Sequence, residues 1–393
     1  MRILLTAVIF TAMLLDTTIA AEAATDFNWW GMVAVRGRHE SYKEYVDISA
    51  SDTTKWGTVR YTDDNSKTRL GYKFGFSLDI NEFITAAVTL RSGVGSVMWQ
   101  DISTENTSGL SPGLQEAYIR WTPPKAQVLM GRIPQSGNAM WDLYAASNNI
   151  RDPVRQDNPT DGVFNDKMGF LNGIKLLVPV GPVTMRAVYH TDYVGGARRE
   201  YSSSSSSPEI TPQMDSYTYV GGLSVDIMQT LASFGQTMPT GVSSQLDFDY
   251  GKPHRIGDLR DTDTDSSYAD EKLWGMSFKV GRFSPTTHTG SEFQYSYGYN
   301  KREGIYESRF SDYKLTAEFR GFRLTFRYQD NTQEMTEGIY KGHEADRTAT
   351  HIYLNTTLWG LDIQPRYIKF ETKVGGHKAT SNERYEVTST IRF

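Results

Sequence analysis

About sixteen segments of roughly ten residues, alternately apolar and polar and bounded by turn residues, predict an all-β chain closed into a transmembrane antiparallel β-barrel. Two further observations point the same way. Connections alternate between short and long along the chain, and the last segment, Glu383 to Phe393, is greasy on one face and charged on the other. In it Tyr385, Val387, Ile391 and Phe393 share a face, opposite Glu386, Thr388, Thr390 and Arg392. Such a strand suits a wall between lipid and water.

The predicted strands lie near 28–39, 67–79, 83–92, 113–122, 126–133, 167–178, 183–193 and 215–227 in the first half. In the second half they lie near 242–251, 271–282, 288–300, 310–319, 322–330, 347–358, 361–370 and 383–393. Short connections such as Asp79-Ile80-Asn81-Glu82, Thr122-Pro123-Pro124-Lys125 and Trp359-Gly360-Leu361 alternate with long ones at 40–66, 93–112, 134–166, 194–214, 252–270, 301–309, 331–346 and 371–382. Short periplasmic turns and long extracellular loops are the asymmetry of outer-membrane barrels. The connection 228–241 should be short yet is long, so it hides either a small helix or a further strand pair; about fourteen to eighteen strands are compatible with it. The serine run Ser202 to Ser207 falls inside a long connection and reads as a solvated loop tip.

At the other end, Arg2 precedes an apolar run from Ile3 to Leu15 and a polar stretch closing in Ala21-Glu22-Ala23. The run is too short to cross about 30 Å of hydrocarbon as a helix and has the form of a secretory signal peptide. The expected organisation is a signal peptide at 1–23 and one barrel domain at 24–393, with Thr18-Ile19-Ala20 as a second possible cleavage site.

Composition agrees without deciding. The chain is 38% hydrophobic and 12% aromatic, which a barrel wall produces because only alternate strand residues face lipid. Cysteine is absent, which excludes disulfides, thiolate metal sites and a lipid-modified cysteine. The net charge of -5, with bases scattered rather than massed, gives no sign of a nucleic-acid partner.

Within the strands, Leu70, Tyr72, Phe74, Phe76 and Leu78 alternate with Arg69, Gly71, Lys73, Gly75 and Ser77, and Phe322, Leu324, Phe326 and Tyr328 alternate with Arg323, Thr325, Arg327 and Gln329. A soluble sandwich shows the same alternation; arginines at mid-strand on the polar side favour a water-filled lumen. Trp29, Trp30, Trp121, Trp274 and Trp359, at strand ends, are candidates for interfacial girdles.

The terminal strand ending on Phe393, with Tyr385 and Ile391, resembles the assembly signal of bacterial outer-membrane barrels. Gln115-Glu116-Ala117-Tyr118-Ile119-Arg120-Trp121, a Pro-Pro turn and Val128-Leu129-Met130-Gly131-Arg132 resemble a hairpin of Gram-negative general-diffusion porins. That resemblance implies a channel for passive diffusion of ions and small hydrophilic solutes, with the third long loop, 134–166, folded inward to narrow the pore. It also implies outer-membrane lipid and lipopolysaccharide as surroundings, the barrel-assembly machinery as a partner, and a homotrimer as one open assembly.

Strand parity makes Arg36, Arg38, Arg69, Lys73, Arg120, Arg132, Arg186, Arg320, Arg323 and Arg327 a basic lumen wall. The loop opposite carries Asp142, Asp152, Asp157 and Asp161, so wall and loop set up a transverse field. A channel selective for phosphate or sugar, or a conduit sheathing another component, remain alternatives.

No cofactor or metal centre is expected. The seven histidines show no H-x-x-x-H or H-E-x-x-H spacing, and no G-x-S-x-G elbow marks a nucleophile, so an enzyme is disfavoured. Asp261-Thr-Asp263-Thr-Asp265 opens like a calcium loop, but Ser266 and Lys272 stand where glycine and glutamate are needed.

Overall fold

The computed structural model describes residues 26–46, 53–92, 100–101, 112–134, 140, 170–192, 198–200, 209–211, 216–254, 271–284, 286–302, 306–335 and 342–393. The long strands of the first half are β1 (Asp26–Tyr45), β2 (Val59–Asn81), β3 (Ile84–Ser92), β4 (Pro112–Trp121), β5 (Gln127–Pro134), β6 (Phe170–Val180), β7 (Val183–Asp192) and β8 (Ser216–Asp226). They continue as β9 (Val242–His254), β10 (Glu271–Ser284), β11 (Thr289–Arg302), β12 (Tyr306–Phe319), β13 (Phe322–Met335), β14 (Glu344–Leu358), β15 (Leu361–Val374) and β16 (His377–Arg392). Each pairs antiparallel with the next, and β16 returns to pair with β1 from Met32↔Arg392 to Glu44↔Thr380, closing a 16-strand barrel.

The seam is completed by Phe393. Its N–H donates to the Gly31 carbonyl at 3.0 Å, and the Gly31 N–H donates to its carbonyl at 2.7 Å. Its ring packs against Trp29 and Phe74, centroids 6.1 and 6.0 Å away. A β-carbon on Gly31 would collide with that ring, so only glycine lets it lie flat on the wall.

Burial is inside out relative to a soluble protein. On β13, Leu324 and Phe326 are 50% and 45% exposed while Thr325 and Arg327 between them are 1% and 0% exposed. The same holds on β16, where Tyr385, Val387 and Ile391 are exposed and Arg384, Glu386 and Thr388 buried. The apolar face of the wall therefore points outward and the charged face inward, as lipid outside and water inside require. On the outer face aromatic rings meet at a tilt across strands at registered pairs, Tyr295 with Tyr313 at 4.9 Å and Tyr189 with Tyr219 at 5.2 Å. Trp29, Trp121 and Trp359 are exposed at the rim that carries the chain ends and short turns, hereafter the lower rim; Trp274 stands among Tyr297 and Tyr299 toward the upper one.

At the lower rim two hairpins turn on residue pairs with positive φ, Arg320 (49°) with Gly321 (84°) and Trp359 (52°) with Gly360 (82°). Both central residues left-handed is the arrangement whose twist matches that of the flanking strands. The long connection after β8 contains a helix, α1 (Ile227–Ser233), capped by Asp226, whose Oδ1 accepts from the Gln229 N–H at 2.8 Å. The connection 228–241 thus holds a small helix, ending at Ser233, rather than a missed strand pair.

Two sequence expectations are corrected at the upper rim. The stretch 40–66 is mostly strand, since β1 runs to Tyr45 and β2 starts at Val59, and 371–382 is a tight hairpin turning on Gly375 and Gly376. Above the apolar band both faces of a strand meet water, so the period-two pattern fades while the hydrogen-bond ladder continues. A two-stranded ribbon, Arg198–Glu200 with Glu209–Thr211, flanks the serine run. The expected signal peptide lies outside the described residues, as do Asp142, Asp152, Asp157, Asp161 and the Asp261 to Ser267 segment.

Placing arginine on the lipid face at mid-wall costs about 2–4 kcal/mol. Phe326→Arg is expected to lower folding yield into lipid vesicles, whereas Gln245→Arg, on the lumen side beside Asp247, should fold normally; equal yields would reject the assigned faces. Deleting Phe393 removes the last two seam hydrogen bonds and its ring, so the heat-modifiable folded band on gels should weaken. A truncated chain that folds as fully as the intact one contradicts this role.

Candidate functional site

The lumen wall is built from inward positions of successive strands, and its charges are largely engaged with one another. Glu386 on β16 is 1% exposed in its side chain and faces three guanidiniums. Arg38 Nε lies 2.6 Å from its Oε1, Arg366 Nη2 3.0 Å and Arg36 Nη1 3.8 Å from its Oε2. These come from β1 and β15, the two strands on either side of β16. Arg36 Nε also donates to Thr388 Oγ1 at 3.0 Å. Above this cluster, Glu40 bridges Arg38 and Arg384, and Asn382 donates to it.

Two further pairs stand elsewhere on the wall. Arg327 on β13 grips Asp312 on β12 with two nitrogens, Nε at 2.7 Å from Oδ1, and the guanidinium is fully buried. On the other side, Arg186 on β7 reaches across β8 to Asp249 on β9, with Nη2 2.6 Å from Oδ1. Bidentate or buried pairing of this kind holds side chains in one geometry.

Toward the upper half the inward face turns apolar. Val188, Val220, Leu273, Phe310, Ala349, Ile368 and Phe370 form one cluster with Leu129 and Ile133 of β5, each no more than 8% exposed. Wall residues facing an open channel would be wet, whereas these are dry. Met140, from the connection between β5 and β6, belongs to this cluster and is fully buried. The sequence pattern does not show this belt: each strand gives it only one or two apolar residues in a mostly polar inward set, and only the cross-strand register aligns them.

Below the belt lies a cavity of about 700 Å³ between β10 and β16, with Arg36 from β1. Its charged lining is Arg36, Lys279, Lys314, Arg323, Arg392, Glu292, Glu318 and Asp362; hydroxyls and amides, among them Thr316, Thr325, Tyr353, Asn355 and Thr388, line most of the rest, with Phe283 and Ile363.

The residues expected to form a basic wall occupy different settings. Arg36, Arg38 and Arg327 are buried in the ion pairs above, and Arg186 with Asp249 joins them. Arg69 stands opposite Arg36 in register. Lys73 is buried beside Glu116, and Arg120 Nη2 donates to Thr85 Oγ1 at 3.0 Å. Arg323 stands half-exposed at the lower rim, 2.7 Å from Glu318.

Arg320 is corrected: it is the first turn residue after β12, out of strand phase, with its guanidinium over the Phe319 ring at 5.1 Å and not in the lumen. Arg132 follows Gly131, whose φ of 120° interrupts the alternation, and its Nε donates to the Gln115 carbonyl at 2.7 Å. Arg347, Arg366 and Arg384 also face inward, Arg347 donating to Asn331 and Gln333, although Arg347 and Arg384 stand inside the predicted strands 347–358 and 383–393.

No protein-family model matches the sequence, and no curated protein does. Among solved structures the chain is similar to OmpF of Salmonella typhi in complex with daunomycin, at 11% identity over 94% of this chain and 98% of that one, with a TM-score of 0.55. It is similar too to the outer membrane channel DcaP of Acinetobacter baumannii, at 13% identity over 95% and 99% of the two chains and a TM-score of 0.52. An in-vitro folded trimer form of OmpT, an outer membrane protein of Vibrio cholerae, is 7% identical over 94% and 100%, with a TM-score of 0.51. The chain has the 16-strand barrel fold of outer-membrane channels.

Removing one member of a buried ion cluster costs about 3–5 kcal/mol, because it strands the remaining charge. Glu386→Gln should therefore lower the urea midpoint of the folded protein in vesicles, while Glu383→Gln, part of an exposed pair with Lys369, should leave it in place. Matching midpoints for the two variants would show that the cluster does not hold the seam.

Proposed function

We propose that the chain is a porin of the bacterial outer membrane, a water-filled channel for passive diffusion of ions and small hydrophilic solutes. The observation that carries this reading is the inverted wall, apolar where it is exposed and charged where it encloses the lumen, as between Phe326 and Arg327. In this reading residues 1–23 direct export and are removed, the lower rim faces the periplasm, and the outward belt sits in lipid capped by lipopolysaccharide. Assembly proceeds by the barrel-assembly machinery through the terminal strand, and a homotrimer is the assembly to test first, given the trimer form of the Vibrio cholerae barrel. The chain acts as a conduit rather than a catalyst.

The stretch 134–166 narrows the channel. The seat of Met140 in the lumen cluster supports this, because it brings the start of that connection inside the wall. Asp142, Asp152, Asp157 and Asp161 then place carboxylates opposite Arg36, Arg38 and Arg327, and the two sets offset one another, giving weak net selectivity. Charges in a passage narrower than the Debye length of about 8 Å at physiological salt are poorly screened and bias which ions pass.

Reversal potentials in a salt gradient across planar bilayers test the reading. Arg323→Ala leaves Glu318 uncompensated at the periplasmic mouth and should shift preference toward cations. Asp152→Asn with Asp157→Asn should shift it toward anions. Both shifts should shrink at 1 M salt, where the Debye length falls to about 3 Å. Absence of channel events rejects the pore, and an unmoved permeability ratio in the aspartate variant rejects the constriction.

A further inference from the structure

We infer that the inner wall just above the lower rim, on β1 to β4, is a binding site for a neutral sugar, with the Trp30 indole as the surface on which a pyranose ring stacks. Its role in transport rests on the porin reading; the binding itself does not.

Trp30 sits at a strand end like the girdle tryptophans but faces the other way. On β1 the inward set is Met32, Ala34, Arg36 and Arg38, all buried, and Trp30 continues it, whereas Trp29 belongs to the outward set and packs on Phe393. Opposite Trp30 in register stands Gly75, between Lys73 and Ser77 on the inward face of β2. A β-carbon on Gly75 would collide with the indole, so only glycine lets the ring lie against the inner wall. The indole is nonetheless 43% exposed. An outward tryptophan leaves such area to lipid. This one leaves it to the enclosed water, and a solute that covers the ring removes that hydrophobic cost.

The register arranges the neighbours. Below Gly75 the inward floor is small, Ser77 on β2 and Ala87 opposite it on β3, and Tyr118 of β4 stands opposite Ala87 on the far side. One row further down, Arg120 Nη2 donates to Thr85 Oγ1 at 3.0 Å, and Thr85 Oγ1 donates to Asp79 Oδ1 at 2.6 Å. In the row of Gly75, Thr89 Oγ1 donates to Glu116 Oε2 at 3.3 Å.

This arrangement decides the ligand's class. A pyranose has C–H groups on a face and hydroxyls around its edge. The C–H face is attracted to the negative face of the indole ring. The hydroxyls donate and accept alike, which suits a patch where Asp79 and Glu116 only accept and Arg120 only donates. Both signs of charge line the patch, so no ion is favoured. From Gly75 to Asp79 the floor runs four residues, roughly 13 Å at strand rise, which takes more than one ring and favours a disaccharide.

The test is calorimetric titration of the refolded full chain, in a detergent without a sugar head group, with trehalose, mannitol and benzyl alcohol; heat-modifiable mobility checks folding. Trehalose is expected to bind. Mannitol, which has the hydroxyls but no ring, and benzyl alcohol, which has a ring but no array of hydroxyls, are expected not to. Trp30→Ala should weaken trehalose at least tenfold, Trp30→Phe should keep most of the affinity, and Trp121→Ala, exposed on the outer face at the same rim, should change nothing. Where Trp30→Ala does not fold, Asp79→Asn should weaken trehalose comparably. Unchanged affinity in these variants, a loss in Trp30→Phe as large as in Trp30→Ala, mannitol or benzyl alcohol bound as tightly as trehalose, or no binding overturns the site. Bilayer conductance of the same samples separates the two readings: conduction without trehalose binding removes the site and leaves the pore, and binding without conduction removes the pore and leaves the site.

Discussion

Everything in this molecule follows from the need to leave no backbone N–H or C=O unpaired in hydrocarbon, where each orphan costs several kcal/mol. A sheet meets that demand only by closing, and closure rests on the pairing of the first and last strands, whose residues are some 350 positions apart in sequence, as Arg36 and Thr388 are. Once the ring exists, side chains are sorted by parity alone. The outward set must tolerate lipid and the inward set inherits whatever chemistry the enclosed space performs. The lumen is thus a by-product of the wall, and its contents are free to vary in a way that the wall is not.

That freedom is used in layers. From the upper half downward the interior passes from the apolar belt around Phe310 and Leu273, through the ion pairs of Arg327 and Glu386, to the hydroxyl-lined cavity beside Thr316 and Thr325. A simple polar tube has no need of the first layer. Its burial against Met140 means that part of the interior is packed like a soluble core, with the close contacts that such packing brings. Polar passage and dry packing therefore coexist inside one ring, at different heights.

The wall was legible because its physics is periodic. Alternation located all the long strands, and the aliphatic and aromatic runs at Leu324 and Phe326 or Tyr385 and Val387 gave the outward face. Where periodicity lapses, legibility lapsed with it. The polar upper ends of β1, β2 and β16 read as loops because both faces are wet, and Arg320 was misplaced because a two-residue turn breaks strand phase. The apolar belt is hard to read because no strand gives it more than two inward residues, such as Ile368 and Phe370 of β15, and only register brings them level with Val188 and Phe310. Helix α1 lay in the one connection whose length broke the pattern. The pairing of the charges was equally hidden: parity put Glu386 and its arginines inside, but no spacing in the chain says that three of them share it.

The cluster at Glu386 has a bearing on how the ring comes to be closed in the correct alignment. Its members lie on β1, β15 and β16, so it cannot form in an open sheet. Because side-chain sidedness has a period of two, a slip of one residue at the seam would turn Glu386 toward lipid and leave the guanidiniums of Arg36 and Arg38 inside without it. A slip of two would keep the sidedness but pull the carboxylate nearly 7 Å along the wall. The outward face, uniformly greasy, discriminates poorly among such alignments. The charged interior discriminates strongly, and it acts as a password checked once, at the last step, by residues from opposite ends of the chain.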